Sequence, residues 1–147
     1  MPRIATVAPT DAALASMLRI SIMRLARRLR TERTDETLTL SQLAVLGTLD
    51  RHGPMTLGEL AAHERVQPPS MTRIVSGLEE RRLVVRDQHL ADRRLVIVRL
   101  TAEASALLGV DRRRRDAWLA RRVRELTPDE HDTLRRAAPV LEKLAAL

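Results

Sequence analysis

The chain of 147 residues contains no cysteine, no tyrosine and no phenylalanine, and its single tryptophan is Trp118. Without a thiol it is no cysteine-based peroxide sensor, and a Cys-ligated zinc site is excluded with it. No apolar run approaches the ~20 residues needed to span a bilayer, so no membrane-spanning segment is expected. The segment from Met1 to Thr10 holds Pro2 and Pro9 and lacks the apolar core of a secretory signal, which points to a cytoplasmic location. Also missing are a Gly-rich phosphate loop, a nucleophile elbow and paired carboxylates in a recognisable frame. Neither catalysis nor a cofactor is therefore expected. Lysine is nearly absent: Lys143 is the only one among 26 basic residues. That excess of arginine, with abundant alanine, fits a GC-rich genome and is given no functional weight.

What is present is positive charge. A net charge of +7 favours a nucleic-acid or anionic-membrane partner. The length predicts one domain over residues 1–147, enough to bury roughly two-thirds of the unfolded surface.

The most informative stretch runs from Thr56 to Leu100. Thr56 and Glu59 form a T-x-x-E capping box, and Leu57, Leu60 and Ala61 supply a short apolar face, so a helix should run to Glu64 or Arg65. A second helix follows Gln67, with Pro68 and Pro69 in its first turn, where a missing N–H costs nothing. Met71, Ile74, Val75 and Leu78 mark its inward face. The opposite face then carries Pro69, Ser70, Arg73 and Ser76, flanked by Thr72 and Gly77. Small polar residues around one arginine suit either a solvated surface or a major groove, where Arg73 would fork onto the O6 and N7 of guanine. Next come Leu83–Arg86 and Leu95–Leu100, apolar and β-branched, joined by the polar stretch Asp87–Arg94. They read as a hairpin tipped by Arg93 and Arg94. A helix pair followed by a cationic hairpin is the pattern of a winged helix-turn-helix, and the wing favours DNA over the solvated surface.

Four segments carry a resemblance to a known family. They are Thr56-Leu57-Gly58-Glu59-Leu60-Ala61, Pro69-Ser70-Met71-Thr72-Arg73-Ile74-Val75, Leu78-Glu79-Glu80-Arg81-Arg82-Leu83-Val84, and Asp92-Arg93-Arg94. Together they resemble the MarR family of bacterial transcription regulators. The flanking helices match the same layout, and the Asp-Arg-Arg tip is the most specific element. The resemblance implies an obligate homodimer, a palindromic operator in double-stranded DNA, and often release by a small, commonly phenolic, effector. It makes Arg94 the residue inserted in the minor groove and Arg93 the partner of Asp92 or a backbone contact, an order the sequence leaves open. The family usually has glycine where Arg82 stands. Either that turn keeps a positive φ, at a cost on the order of 1 kcal/mol for a side chain, or a different turn replaces it.

The termini decide the oligomeric state. Thr10 and Asp11 open a helix to about Arg30, with Leu14, Leu18, Ile22, Leu25 and Leu29 in one stripe and Met17 and Ile20 broadening it. Thr31–Thr37 should be a loop. Thr39 and Gln42 cap the next helix, which ends at His52-Gly53-Pro54. A long helix is expected from Thr101 to Leu126, and a last one after Thr127 with a stripe of Leu134, Ala137, Ala138, Leu141 and Leu144. Pro139 should kink or break it. The fold class is thus mainly α with a small antiparallel β-wing. A winged helix-turn-helix at 38–100 is flanked by dimerisation helices at 10–37 and 101–147. A twofold pair would set two recognition helices roughly 34–36 Å apart. The other reading is a monomer whose end helices merely cover the module.

Three features look sharper than they are. Arg112–Arg115 occupy consecutive helical positions and so cannot all face DNA; a solvated arm, or salt bridges to Asp111, Asp116 or a partner subunit, is the expectation. His63 and His89 with Asp87 and Asp92 follow no metal-ligand spacing, so no metal is expected. Trp118 reads as core packing, with a pocket near Met17, Ile20 and Leu46 as the alternative. With no Tyr or Phe, such a pocket has little aromatic surface on which to stack a phenol. The functional expectation is a sequence-specific regulator, a repressor. An architectural nucleic-acid-binding winged-helix protein without a defined operator is the alternative, and a protein-interaction module comes third. Asp92, acidic on a surface that must approach phosphates, is expected to order the wing by pairing with one neighbouring arginine.

Overall fold

The computed structural model describes residues 10–147, and the reading of the first residues as lacking a signal core lies outside them. Two units emerge: Arg33–Arg114, and the residues up to Glu32 together with Arg115–Leu147.

Within Arg33–Arg114, α2 (Leu40–His52) starts at a reciprocal capping box between Thr39 and Gln42, and stops at Gly53, whose φ of 79° suits a residue without a Cβ. α3 (Leu57–Glu64) has the same kind of box, Thr56 with Glu59, and turns at Arg65 into α4 (Pro68–Glu80). β2 (Val84–Gln88) and β3 (Val96–Leu100) form the hairpin, Val84 facing Leu100 and Gln88 facing Val96. A third strand, β1 (Met55–Thr56), joins β3 on its other edge with Met55 opposite Val98. It was not legible in the sequence, because it is two residues long and Thr56 serves at once as strand end and helix cap. Leu46, Leu60, Met71, Val75, Leu78 and Val98 are fully buried and bind the three helices to the sheet. Each such side chain stabilises the module by about 1.5–3 kcal/mol over exposure. Gly77 lets α4 pass close to α2, since a Cβ there would stand 3.0 Å from Gln42 Nε2.

The turn from α4 into the wing keeps the left-handed geometry: Arg82 sits at φ 59°. Its amide donates to the Glu79 carbonyl and its own carbonyl accepts the Thr101 hydroxyl at 2.8 Å, so the strained residue is held from both sides. Arg82→Gly is expected to raise stability by about 0.5–1 kcal/mol, seen as a higher urea midpoint at unchanged slope and fixed protein concentration. A lower midpoint would mean that the arginine side chain itself holds the turn.

α5 (Ala102–Val123) begins in this unit, where Thr101 Oγ1 accepts the Ala104 amide. It ends three residues before the expected Leu126, because the amides of Glu125 and Leu126 turn back to the carbonyls of Arg122 and Val123. In its arginine run Arg113 and Arg114 are exposed and in no ion pair among the described residues, as in a solvated arm, and only the partner of Arg112 differs from those expected. Arg112 pairs with Asp50 of α2 at 2.6 Å, while Asp111 is buried and accepts the Thr34 amide at 2.7 Å. Asp111 is therefore spent on the loop before α2 and not on a neighbouring arginine.

In the other unit, α1 (Asp11–Arg30) is capped by Thr10, and α6 (Pro128–Ala146) by a Thr127–Glu130 box. Neither helix has a buried residue; Met17 is 62% exposed and Val140 58%. α6 is continuous through Pro139, so of the expected kink or break the break does not occur. Trp118 of α5 is buried, with the guanidiniums of Arg28 and Arg122 at 5.3 and 5.4 Å from its ring centroid. Its Nε1 has no hydrogen-bond partner among the described residues.

Candidate nucleic-acid interface

α4 presents its polar side because its apolar side is consumed. Met71, Val75 and Leu78 are buried and Ile74 half-buried, which leaves Pro69, Thr72 and Arg73 exposed on the far side. Ser70 is half-buried. Thr72 returns its hydroxyl to the Pro68 carbonyl at 3.1 Å, so it contributes a methyl and an oxygen lone pair outward and no free donor. Arg73 is in no ion pair among the described residues. Glu80 shares its face by helical spacing but lies at the C-terminal end, whereas groove-reading helices lead with their N-terminal residues.

Ser76 is placed differently from the exposed position expected of it. It is half-buried, and its hydroxyl accepts from Arg86 of β2 at 2.5 Å. Arg86 Nε lies 3.1 Å from Glu79 Oε2, though not in hydrogen-bond geometry. The cluster Ser76–Arg86–Glu79 fastens the recognition-type helix to the first wing strand. Sequence reading missed it because helical spacing alone cannot reveal which polar residue a neighbouring strand will claim.

A second clasp lies just past the same, C-terminal end of α4, at its cap residue Arg81. Arg81 donates to Asp35 and to the Thr37 hydroxyl, both in the loop after α1. The Thr37 hydroxyl and amide, then the Arg81 charge, hold the Asp35 carboxyl below the ordinary carboxylate range, partly offset by burial.

The wing is a closed and braced turn. Across the strands Arg99 pairs with Asp87 at 2.6 Å, a diagonal contact in the register. At the tip the His89 amide donates to the Leu95 carbonyl, and the Leu95 amide to the Asp92 carbonyl, each at 3.0 Å. His89 Nδ1 accepts the amides of Ala91 and Asp92 at 3.1 and 3.2 Å. Asp92 Oδ1 accepts the Arg94 amide at 3.0 Å. The expected Asp92–arginine ion pair is thus corrected: the carboxylate orders the tip through the main chain, a two-residue Asx contact that satisfies an amide instead of a guanidinium. Arg93 and Arg94 are exposed and, among the described residues, in no ion pair. The organising role of His89 had no signal in the sequence.

The two histidines and two aspartates that follow no metal-ligand spacing are dispersed among other duties. Asp87 is taken by Arg99, while His89 and Asp92 bind tip amides. His63 lies on α3, its ring 5.0 Å from that of His52.

Comparison with known proteins follows the same outline. A sequence profile of the MarR family matches residues 38–96. An uncharacterised HTH-type transcriptional regulator of Mycobacterium leprae is 43% identical over 135 residues, covering 92% of this chain and 94% of the relative. The HTH-type transcriptional repressor MdtR of Bacillus subtilis is 29% identical over 136 residues, 90% of this chain and 86% of MdtR. Among solved structures, a protein of Pseudomonas aeruginosa assigned as a transcriptional regulator superposes with a TM-score of 0.82 at 36% identity, covering 95% of this chain and 99% of that one.

Proposed function

Because the chain belongs to the MarR family of transcriptional regulators, we propose that it is a cytoplasmic repressor that binds an inverted-repeat operator in duplex DNA as a homodimer. Residues 38–100 form the reading module, and residues 10–37 with 101–147 pair the two copies. The observation that carries the reading is the conjunction of an exposed helix face centred on Arg73 with a braced wing tip whose Arg93 and Arg94 are in no ion pair among the described residues. Arg73 reads a guanine edge in the major groove, while Pro69, Ser70 and Thr72 permit close approach and position the helix on the backbone. Ser76 contributes at second hand, by fixing Arg86. Arg94 enters the minor groove and Arg93 contacts the backbone. Repression is favoured by the repressor name of the B. subtilis relative. Release by a small-molecule effector belongs to the same reading; the one large ring available to it is Trp118.

The test is competition binding on a duplex that the protein selects from a random pool, against unselected duplex. The wild type should prefer the selected duplex by ~10³-fold or more. Arg73→Ala should lose about 1–3 kcal/mol on the selected duplex and less on the other. Equal losses would reduce Arg73 to a phosphate contact, and no preference in the wild type would leave an architectural binder.

A further inference from the structure

Leu90, at the wing tip, is the most exposed large apolar residue described: it is fully exposed, whereas Leu95 across the turn is 42% exposed. A single leucine on a surface is ordinary and means nothing alone. This one stands on a tip that the chain has made unusually firm. His89, the residue before it, accepts two main-chain amides from Ala91 and Asp92, and His89 also closes the turn onto Leu95. Asp92 holds the Arg94 amide. Leu90 is therefore presented by a braced loop, covered by none of the described residues, with Arg93 and Arg94 close by and in no ion pair among the described residues.

A covering surface must accept an apolar tip and two cations together. The minor groove does so: its walls are sugar and base edges, its potential is negative, and its base steps yield to aliphatic wedges. We propose that Leu90 is a minor-groove wedge, seated against a base step beside the wing arginine, so that the DNA is bent where the wing enters. The idea rests on the DNA-binding reading above and adds a residue and a deformation to it. Sequence preference in the flanks then follows from how easily a step opens, with pyrimidine–purine steps favoured.

The experiment uses the full chain and a duplex selected from a random pool, carrying 2-aminopurine at successive flank positions and dyes at both ends. Wild-type binding should brighten 2-aminopurine at one step on each side and shorten the end-to-end distance. Leu90→Ala should bind about tenfold more weakly, the loss expected from truncating a well-seated leucine. It should also lose both optical signals and keep the wild-type salt slope, since no charge changes. Leu90→Met, still long and apolar, should retain them. Because the residue is wholly exposed, the variant's fold is not at stake, and circular dichroism checks it. Wild-type affinity and signals in Leu90→Ala would overturn the wedge alone. A wild type that selects no duplex would overturn the DNA reading and the wedge with it.

Discussion

A chain ended at Leu126, without α6, is expected to be unfolded or insoluble and not a soluble monomer. The reason lies in apolar surface that the described residues leave uncovered. On α1, Leu14, Met17, Ile20, Ile22, Met23 and Leu25 are 44–62% exposed; on α6, Leu134, Val140, Leu141 and Leu144 are 37–58% exposed. Completing the burial of a half-exposed side chain of this size is worth on the order of 1 kcal/mol, so these ten residues, repeated in two copies, supply a large gross gain from which the cost of association is subtracted. Interleaving with a second copy is the arrangement we propose for realising it, and stability then depends on protein concentration by mass action. Light scattering after size exclusion, with far-ultraviolet circular dichroism, gives mass and helicity of the truncated chain. Trp118 is the single tryptophan, so its emission separately reports whether its own surroundings remain packed. A folded monomer that still binds DNA would sink the interleaved dimer.

The sequence made the helices and their capped starts readable because caps are local chemistry. Thr39–Gln42, Thr56–Glu59 and Thr127–Glu130 are each complete within four residues, and each box forms. Apolar spacing in α4 likewise told which side would be buried. Long-range choices were not readable. Ser76 and Arg86 are ten residues apart and Arg81 and Asp35 forty-six, and nothing local says that they meet. The same holds for β1, whose two residues become a strand only because β3 lies beside them. Asp92 shows a subtler limit. Its task of ordering the tip follows from an acid standing where phosphates approach, but a carboxylate beside two arginines suggests an ion pair, while a rigid turn rewards the nearer amide. Leu83, Leu78 and Arg82 mark the opposite case. The positive φ at Arg82 is forced by the helix exit, where the Leu83 amide reaches back to the Leu78 carbonyl, and the turn keeps its geometry though the residue is not glycine.

Arg94→Ala and Asp92→Ala are expected to weaken DNA binding for different reasons, and salt separates them. The Arg94 side chain is exposed and in no ion pair among the described residues, so removing it deletes a cation from the proposed groove contact. Affinity should fall substantially, the slope of log K against log salt should flatten by about 0.9, and any preference for A·T-rich flanks should shrink. Asp92→Ala makes the net charge one unit more positive, which by electrostatics alone would tighten binding. The structure sets a cost against that gain. Without Asp92 Oδ1 the Arg94 amide loses its acceptor, and the tip that presents both arginines is held only by His89 and the two main-chain bonds to Leu95 and from it. A looser tip must be ordered on binding, at about 1–2 kcal/mol of backbone entropy per residue fixed. The ordering cost falls on every DNA at every salt, whereas the charge gain is screened. Asp92→Ala should thus bind more weakly than wild type with a nearly unchanged slope, and the deficit should persist at high salt. Tighter binding at low salt would show instead that Asp92 is only a repulsive charge and that His89 suffices to hold the wing.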